Sequence, residues 1–561
     1  MNPPSRPSPL PRGSTLARLA LAGSSFFSAT VIGSAQSAPP SAPGDTIVEL
    51  NPFEVSSDRD HGYQAITTLA GGRIQSDLKD TPATISILTK EFMEDLGLDN
   101  NVDFSVWAPN SEIPYTENGF LDEYRTSSRA LSPSFGSRNY FRSYTSGDSY
   151  NTERLEFARG PNALLFGDAS IGGISTVWTK QARLARRIAS LQTRVDSYGS
   201  YRANIDYNWS PHKAFAVRTN ALYAKTESWR DVESATTKAI HLASTFALGP
   251  QTQIRVEGEY SDRKLSVPFG VILDQASNYL RLTPEQREAA KWTGTKTTGF
   301  PTGTTRYSTD RIVWIESSPD LGALNWINRG LSTGTGLSLV PEGRTALPGF
   351  PGLPSREFNA NAPSAVLTYE TTTASVYLDQ KIGNDLFIQV AYNYSLPKNQ
   401  RDEIRWNDLF IDVNEFLPSP GTPAVNGPRN PYYGVPYADE EARRLDTRNE
   451  LHEGRVMAAW KFQTSWTDQA FSLLLSQRRD DYLAARSRQV PRGLKTGTAY
   501  YSSNSTADIL YHRRYWNSLD RGDYNLPPSY VSPSGQTLPI EWRPYEDSRQ
   551  ETTLTSLQLA N

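Results

Sequence analysis

The residue types that carry nucleophilic, redox or thiolate–metal chemistry are thin in this sequence. It has no cysteine, which removes thiol catalysis, disulfide frameworks, thiolate zinc sites and attached c-type haem. The five histidines, His61, His212, His241, His452 and His512, are widely spaced, so no imidazole cluster can be read from the spacing. There is no Gly-x-Ser-x-Gly, P-loop, EF-hand loop or paired-histidine helix. Asp439-Glu440-Glu441 followed by Arg443-Arg444 reads as a solvated loop face, and Arg521-Gly522-Asp523 as a chance tripeptide. The sequence therefore predicts no enzyme, no metal site and no cofactor. What remains is binding chemistry. Arg154, Glu156 and Arg159 sit close together on one segment, and buried charges of this kind need partners. Tyr124, Arg125, Arg138, Tyr140, Arg142 and Tyr144 are aromatic and basic residues in irregular segments, suited to an anionic chelate or a sugar.

The elements around these residues form a compact α/β unit. Residues 83–88 read as a strand, and Thr89 caps a helix carrying Phe92, Met93 and Leu96 before Gly97 stops it. A second short helix covers Val102 to Trp107 and ends before Pro109. From Ser111 to Gly147 no period holds, which predicts loops. Glu153 to Ala158 alternates as a half-buried strand. Arg159-Gly160-Pro161 turns the chain, 162–166 makes one helical turn, and Gly172-Gly173 leads into a strand over 174–179.

Ahead of this unit lies an address. Arg6, Arg12 and Arg18 precede an apolar stretch from Leu19 to Ile32 and a small-x-small pattern at 33–35. That is the layout of a signal peptide over 1–35, with a Ser/Ala/Pro-rich linker behind it.

After residue 185 the pattern changes. Residues 201–209 alternate apolar and polar without a fault, 254–260 do so again, and 386–394 lapse only at Phe387. One face is apolar and the other polar. Ten strands are predicted, at roughly 187–197, 200–210, 213–226, 237–248, 252–264, 370–382, 385–396, 454–465, 469–482 and 551–560. Tight turns at 210–212, 249–251, 383–385 and 467–468 contrast with long connections at 265–369, 397–453 and 483–550. Short on one side and long on the other is the asymmetry of an outer-membrane barrel, with terminal Tyr and Trp as its girdles. Within one long connection, Thr283-Pro284-Glu285-Gln286 predicts a loop helix from Pro284 to Trp292. No run of 18 apolar residues predicts a spanning helix, which leaves a barrel open. The net charge of −3 gives no general attraction to nucleic acid.

Glu153-Arg154-Leu155-Glu156-Phe157-Ala158-Arg159-Gly160-Pro161-Asn162-Ala163-Leu164-Leu165-Phe166-Gly167 resembles the plug signature of TonB-dependent outer-membrane receptors. Gly172-Gly173-Ile174 through Thr179-Lys180 is similar to that family's closing plug strand. Asp45-Thr46-Ile47-Val48 is similar to its TonB box, a β-branched segment suited to adding an edge to a partner's sheet. The overlapping register 48–55 suits the same role.

The resemblance implies a mainly β chain with a small α/β plug followed by antiparallel transmembrane β-barrel strands. The expected domains are a signal peptide at 1–35, a linker with the TonB-box-like segment at 36–60, a plug at 61–183 and a partial barrel at 184–561. About ten strands are too few for a closed barrel of this family, so an incomplete barrel is expected. The signature residues implied are Arg154, Glu156, Arg159, Gly160, Pro161, Gly167, Gly172 and Gly173. The charged ones would pair with carboxylates on the inner barrel wall. Implied partners are TonB, with ExbB and ExbD energising it, outer-membrane lipid, and a scarce ligand such as iron–siderophore, cobalamin or oligosaccharide. The expected location is the bacterial outer membrane. The rival expectations are an uncoupled barrel or adhesin and, more remotely, a secreted all-β carbohydrate-active enzyme.

Overall fold

The computed structural model describes residues 60–113 and 125–160 with short gaps, 172–266 apart from Asp231, 365–404, 428–492 apart from Thr464, and 536–560. Shorter stretches are described within 273–339, 408–417 and 509–531. The signal-peptide and TonB-box segments, Tyr124, Pro161, the turn at 162–166, Gly167, Arg521-Gly522-Asp523 and most of the loop helix expected from Pro284 lie outside the described residues.

The plug is built on a five-stranded sheet. Its centre is β1 (Thr84–Thr89), β2 (Thr152–Arg159) and β3 (Gly173–Thr179), with β2 antiparallel to both neighbours. Helix α1 (Lys90–Asp95) starts where the Thr89 side chain accepts from the Phe92 N–H, and α2 (Asn101–Trp107) starts where Asn100 accepts from Val102 and Asp103. Leu88, Met93, Phe104, Leu155 and Phe157 are buried together between helices and sheet. Two expectations need correcting here. All eight residues of β2 are buried, so the strand is not half-exposed; both of its faces are covered. The stretch from Ser111 to Gly147 is not all loop, for it contains short strands at Arg125–Ser128, Ser137–Arg138 and Phe141–Arg142.

The wall consists of β4 (Ile188–Val195), β5 (Tyr201–His212), β6 (Phe215–Glu227), β7 (Ser234–Ala247), β8 (Thr252–Ser266), β9 (Val366–Ile382), β10 (Leu386–Ile404), β11 (Pro436–Gln463), β12 (Asp468–Pro491) and β13 (Thr537–Ala560). These are the ten predicted strands, paired antiparallel in sequence order. Their outward side chains are apolar and exposed, among them Ile205, Leu242, Val256, Val390, Val456 and Leu473. Their inward side chains are polar and buried, among them Asp206, Asn208, Arg218, Asn220, Glu257 and Gln389. This inside-out partition is what a lipid-facing wall requires. Rings cluster at two levels, with Tyr201 stacked on Tyr223 at one end and Phe462 on Phe471 at the other. Phe387, the lapse in alternation, turns inward and is buried with Met457, Ala459 and Leu474.

The long connections are shorter than the sequence suggests. β11 runs for 28 residues and β12 and β13 for 24 each, so 436–453, 483–491 and 537–550 belong to wall strands rather than loops. Asp439-Glu440-Glu441 is accordingly strand, and Glu441 is ion-paired with Arg443 and Arg488 instead of solvated. Thr305–Ile315 pairs antiparallel with Ala323–Ser332 and parallel with Leu510–Tyr515. Val313, Ile315, Tyr437, Tyr511 and Tyr515 are buried as a separate core in this region. Among the described residues no pairing joins β4 to β13, and the sheet is open.

Candidate functional site

The centre of the molecule is the seam between plug and wall, and one hairpin of the plug dominates it. Ser137–Arg138 pairs with Phe141–Arg142 around Asn139-Tyr140, both of which have left-handed backbone, with φ of 48° and 67°. Two successive left-handed residues are what a two-residue type I′ turn demands, and asparagine suits the first of them. Tyr140 is the costly choice. Its ring is held edge-on to Trp178 at 4.7 Å, in a buried cluster with Ala158 and Ile174.

That turn delivers its polar groups to the wall. The Asn139 side-chain amide donates to Glu257 at 2.6 Å and to the Thr179 hydroxyl at 2.7 Å, and Thr179 donates to Glu257 at 2.6 Å. Within the wall, Tyr377 donates to the same carboxylate at 2.8 Å and His241 lies 3.4 Å from it. Arg138 pairs with Glu259, which also accepts from Tyr150. Arg455 of β11 donates to the Asn139 carbonyl at 2.8 Å, and the Arg142 N–H donates to Glu453 at 3.1 Å. Glu257 and Glu259 thus gather donors from four segments.

The charges of β2 behave differently from the expectation. Arg154 is fully buried and pairs with Glu156 at 2.8 Å and Asp60 at 3.4 Å; it also donates to the Thr67 carbonyl. Glu156 accepts in addition from Thr68 at 3.1 Å. Arg159 donates to the Pro109 carbonyl at 2.8 Å. These partners all belong to the plug side, so Arg154, Glu156 and Arg159 close the plug on itself instead of bonding to wall carboxylates. The neighbouring Glu153 makes the wall contact, pairing with Arg183 at 2.8 Å and Arg218 at 3.4 Å. Burial pushes the carboxyls of Glu156 and Asp60 above their ordinary values, with Arg154 opposing the rise in each. Burial also lowers the Lys180 ammonium, which lies 3.4 Å from Asp206 of the wall.

The glycines serve geometry. Gly160 and Gly173 have φ of +95° and +148°, and a Cβ on Gly173 would lie 2.5 Å from the Ala158 carbonyl oxygen. Gly172 accepts from the Gly160 N–H across the hairpin mouth.

Of the expected ligand-gripping residues, Arg138 and Tyr140 are committed to the seam. Arg142 lies 4.9 Å from the Phe135 ring centroid, Arg125 lies 5.8 Å from it, and Tyr144 donates to Asp480 at 3.1 Å. Tyr144 and the Arg142 N–H thus reach the wall, while the Arg125 and Arg142 guanidinium groups flank Phe135 within the plug. Sequence reading missed Asn139, Glu257, Glu259 and Glu453. The inward phase of 255, 257 and 259 was legible, but nothing in the spacing marked which plug residue would meet them.

A mixed plug sheet tied by buried charge to an inside-out wall of long antiparallel strands is similar to the plug-and-barrel fold of TonB-dependent outer-membrane receptors. Sequence relatives point the same way. The chain is 25% identical over 232 residues to the metal-pseudopaline receptor CntO of Pseudomonas aeruginosa, covering 40% of this chain and 32% of the receptor. It is 26% identical over 205 residues to the probable TonB-dependent receptor BfrD of Bordetella pertussis, covering 35% and 27%. Among solved structures, the ferripyoverdine receptor of the Pseudomonas aeruginosa outer membrane superposes with a TM-score of 0.55 at 14% identity, covering 91% of this chain and 53% of that one. The siderophore receptor PiuA of Acinetobacter baumannii gives 0.54 at 14%, covering 88% and 57%. The chain spans about a third of the length of the curated relatives it matches. No family model matches it.

Proposed function

We propose that this chain is the plug-bearing part of an outer-membrane receptor that takes up a scarce ligand by energy coupling to TonB, with ExbB and ExbD behind it. The observation that carries the reading is the seam: a self-contained plug attached to the wall through a few buried hydrogen-bonded carboxylates, chiefly Glu257 and Glu259. Such a body can be released by breaking a countable set of contacts without unfolding its own core. In this reading residues 1–35 are the export signal, 36–60 carry the TonB box at Asp45 to Val48, 61–183 are the plug, and 184–561 are wall. Relatives that are receptors rather than enzymes support a role without chemistry on the ligand.

The test is binding of the whole chain, refolded in lauryldimethylamine oxide micelles, to the periplasmic domain of TonB. Saturable binding is expected, displaced by a peptide spanning Asp45 to Val55 and lost in Ile47→Pro, which breaks strand pairing. Absence of binding would turn the reading to an uncoupled barrel.

A further inference from the structure

The seam does not fill the lumen. A cavity of about 400 Å³ lies between the plug residues 97–103 and 145–150 and the inner faces of β4 to β9. It exists because the wall is paved there with small side chains: Ala224, Thr226, Thr237, Ala239, Ser261 and Thr371. None of the residues expected from the sequence to grip a ligand lines it.

Its charge is closed. Arg202 pairs with Asp148 at 2.6 Å and Asp99 at 3.3 Å, Arg194 pairs with Asp99 and donates to the Gly97 carbonyl at 3.0 Å, and Lys225 pairs with Glu227 at 2.6 Å. Arg263 is also engaged. Among the described residues an anionic ligand entering here would meet no free cation, and it would face Asp99, Asp103, Asp148 and Glu259. It would have to break ion pairs to bind, at a cost its own charge would not recover. What the lining does offer is hydroxyl groups on both sides, from Thr145 and Tyr150 of the plug and Thr226, Thr237, Ser261 and Thr371 of the wall, with Tyr369 adding aromatic carbon. Lone pairs on carboxylates already oriented by arginine can still accept from a ligand hydroxyl. A volume near the lower end of the small-molecule range suits one or two sugar rings.

We infer that this cavity is a binding site for an uncharged, hydroxyl-rich ligand of mono- to disaccharide size. The inference deepens the receptor reading and rests on it for the ligand's fate, though not for its binding. The closing experiment is calorimetric titration of the whole chain in lauryldimethylamine oxide, a detergent with no sugar headgroup. The probes are maltose, cellobiose, trehalose and sucrose, set against galacturonate and ferric citrate. At least one neutral disaccharide should bind saturably, and Thr237→Trp, which fills the cavity, should weaken it by about tenfold or more. Ala235→Trp, on the same inner face, provides a second filling variant if the first misfolds. Asp148→Asn, which keeps the cap on Tyr150 but leaves Asp99 as the one carboxylate paired with Arg202 among the described residues, should raise galacturonate affinity by about fivefold. Binding of the anions alone, or of no probe at all, overturns the inference. Sugar binding by a chain that fails to bind TonB would leave the cavity standing and remove the receptor reading, so the two failures are distinct.

Discussion

Strands β2 and β8 both bury charge, and they neutralise it in opposite ways. At its centre β2 keeps its charge at home, with Arg154 paired to Glu156 and Asp60 on the plug side, and only Glu153 at its start reaches Arg218 of the wall. β8 gives its charge away, with Glu257 and Glu259 receiving hydrogen bonds from Asn139, Thr179, Arg138 and Tyr150 of the plug. The first arrangement is cohesion and the second is attachment. Separating them lets one be weakened while the other is untouched, which a network shared by both strands would forbid.

The separation can be attacked directly. Arg154→Ala leaves two buried carboxylates without their cation and should cost the plug about 3–5 kcal/mol. Urea titration followed by Trp178 environment and by proteolysis within the plug is the readout; an unmoved midpoint would sink the cohesive role. Glu257→Gln removes the charge that gathers Asn139, Thr179 and Tyr377 as donors and should cost about 1.5–3 kcal/mol. Here the expected sign is faster cleavage in the 137–142 hairpin with the plug sheet's own midpoint held. If the two substitutions are combined, their costs should add within about 0.5 kcal/mol, because separate networks do not couple. Gly173→Ala tests cohesion through backbone alone, forcing a side chain against the Ala158 carbonyl for about 1–3 kcal/mol.

The smallest effect is the pH dependence. Glu156 and Asp60 have carboxyls raised above their ordinary values of 4.5 and 3.8. As pH rises past those values the unfolded chain ionises first while the folded plug still holds its protons. Plug stability from these two groups is therefore greatest at or below the ordinary values and declines as pH climbs through the raised ones. Glu156→Gln should flatten that slope in a urea series across pH; a slope of opposite sign would contradict the assignment.

The sequence spoke most clearly where lipid imposes a rule. Val390 and Tyr392 must face out and Gln389 and Asn393 must face in, so β10 was readable from alternation. The same strand continues to Ile404 beyond that band, where both faces are polar and no period marks it. The arms of β11 and β12 are hidden for the same reason and read as loop in the sequence. In the plug, the alternation of β2 was real but misleading, because β1 and β3 cover its edges and packed layers cover both faces. Its charge partners were misassigned since Asp60 lay in what reads as linker. Nothing about Asn139 announces a left-handed turn aimed at Glu257; only the register of three distant segments brings it there.

The 28 residues of β11 correspond to roughly 90 Å of extended chain, against about ten residues needed to cross the lipid core. Much of that strand therefore stands clear of the bilayer as a fence held by main-chain pairing. Beyond that band, exposed residues pair along the strand, as Arg448 with Glu450 in β11, and across the ladder, as Arg549 of β13 with Asp481 of β12. Such exposed pairs contribute little to stability. A surface whose shape is set by backbone and whose side chains are nearly free to change can alter how it looks to a phage or an antibody while keeping its scaffold, so its antigenic character can drift faster than its fold.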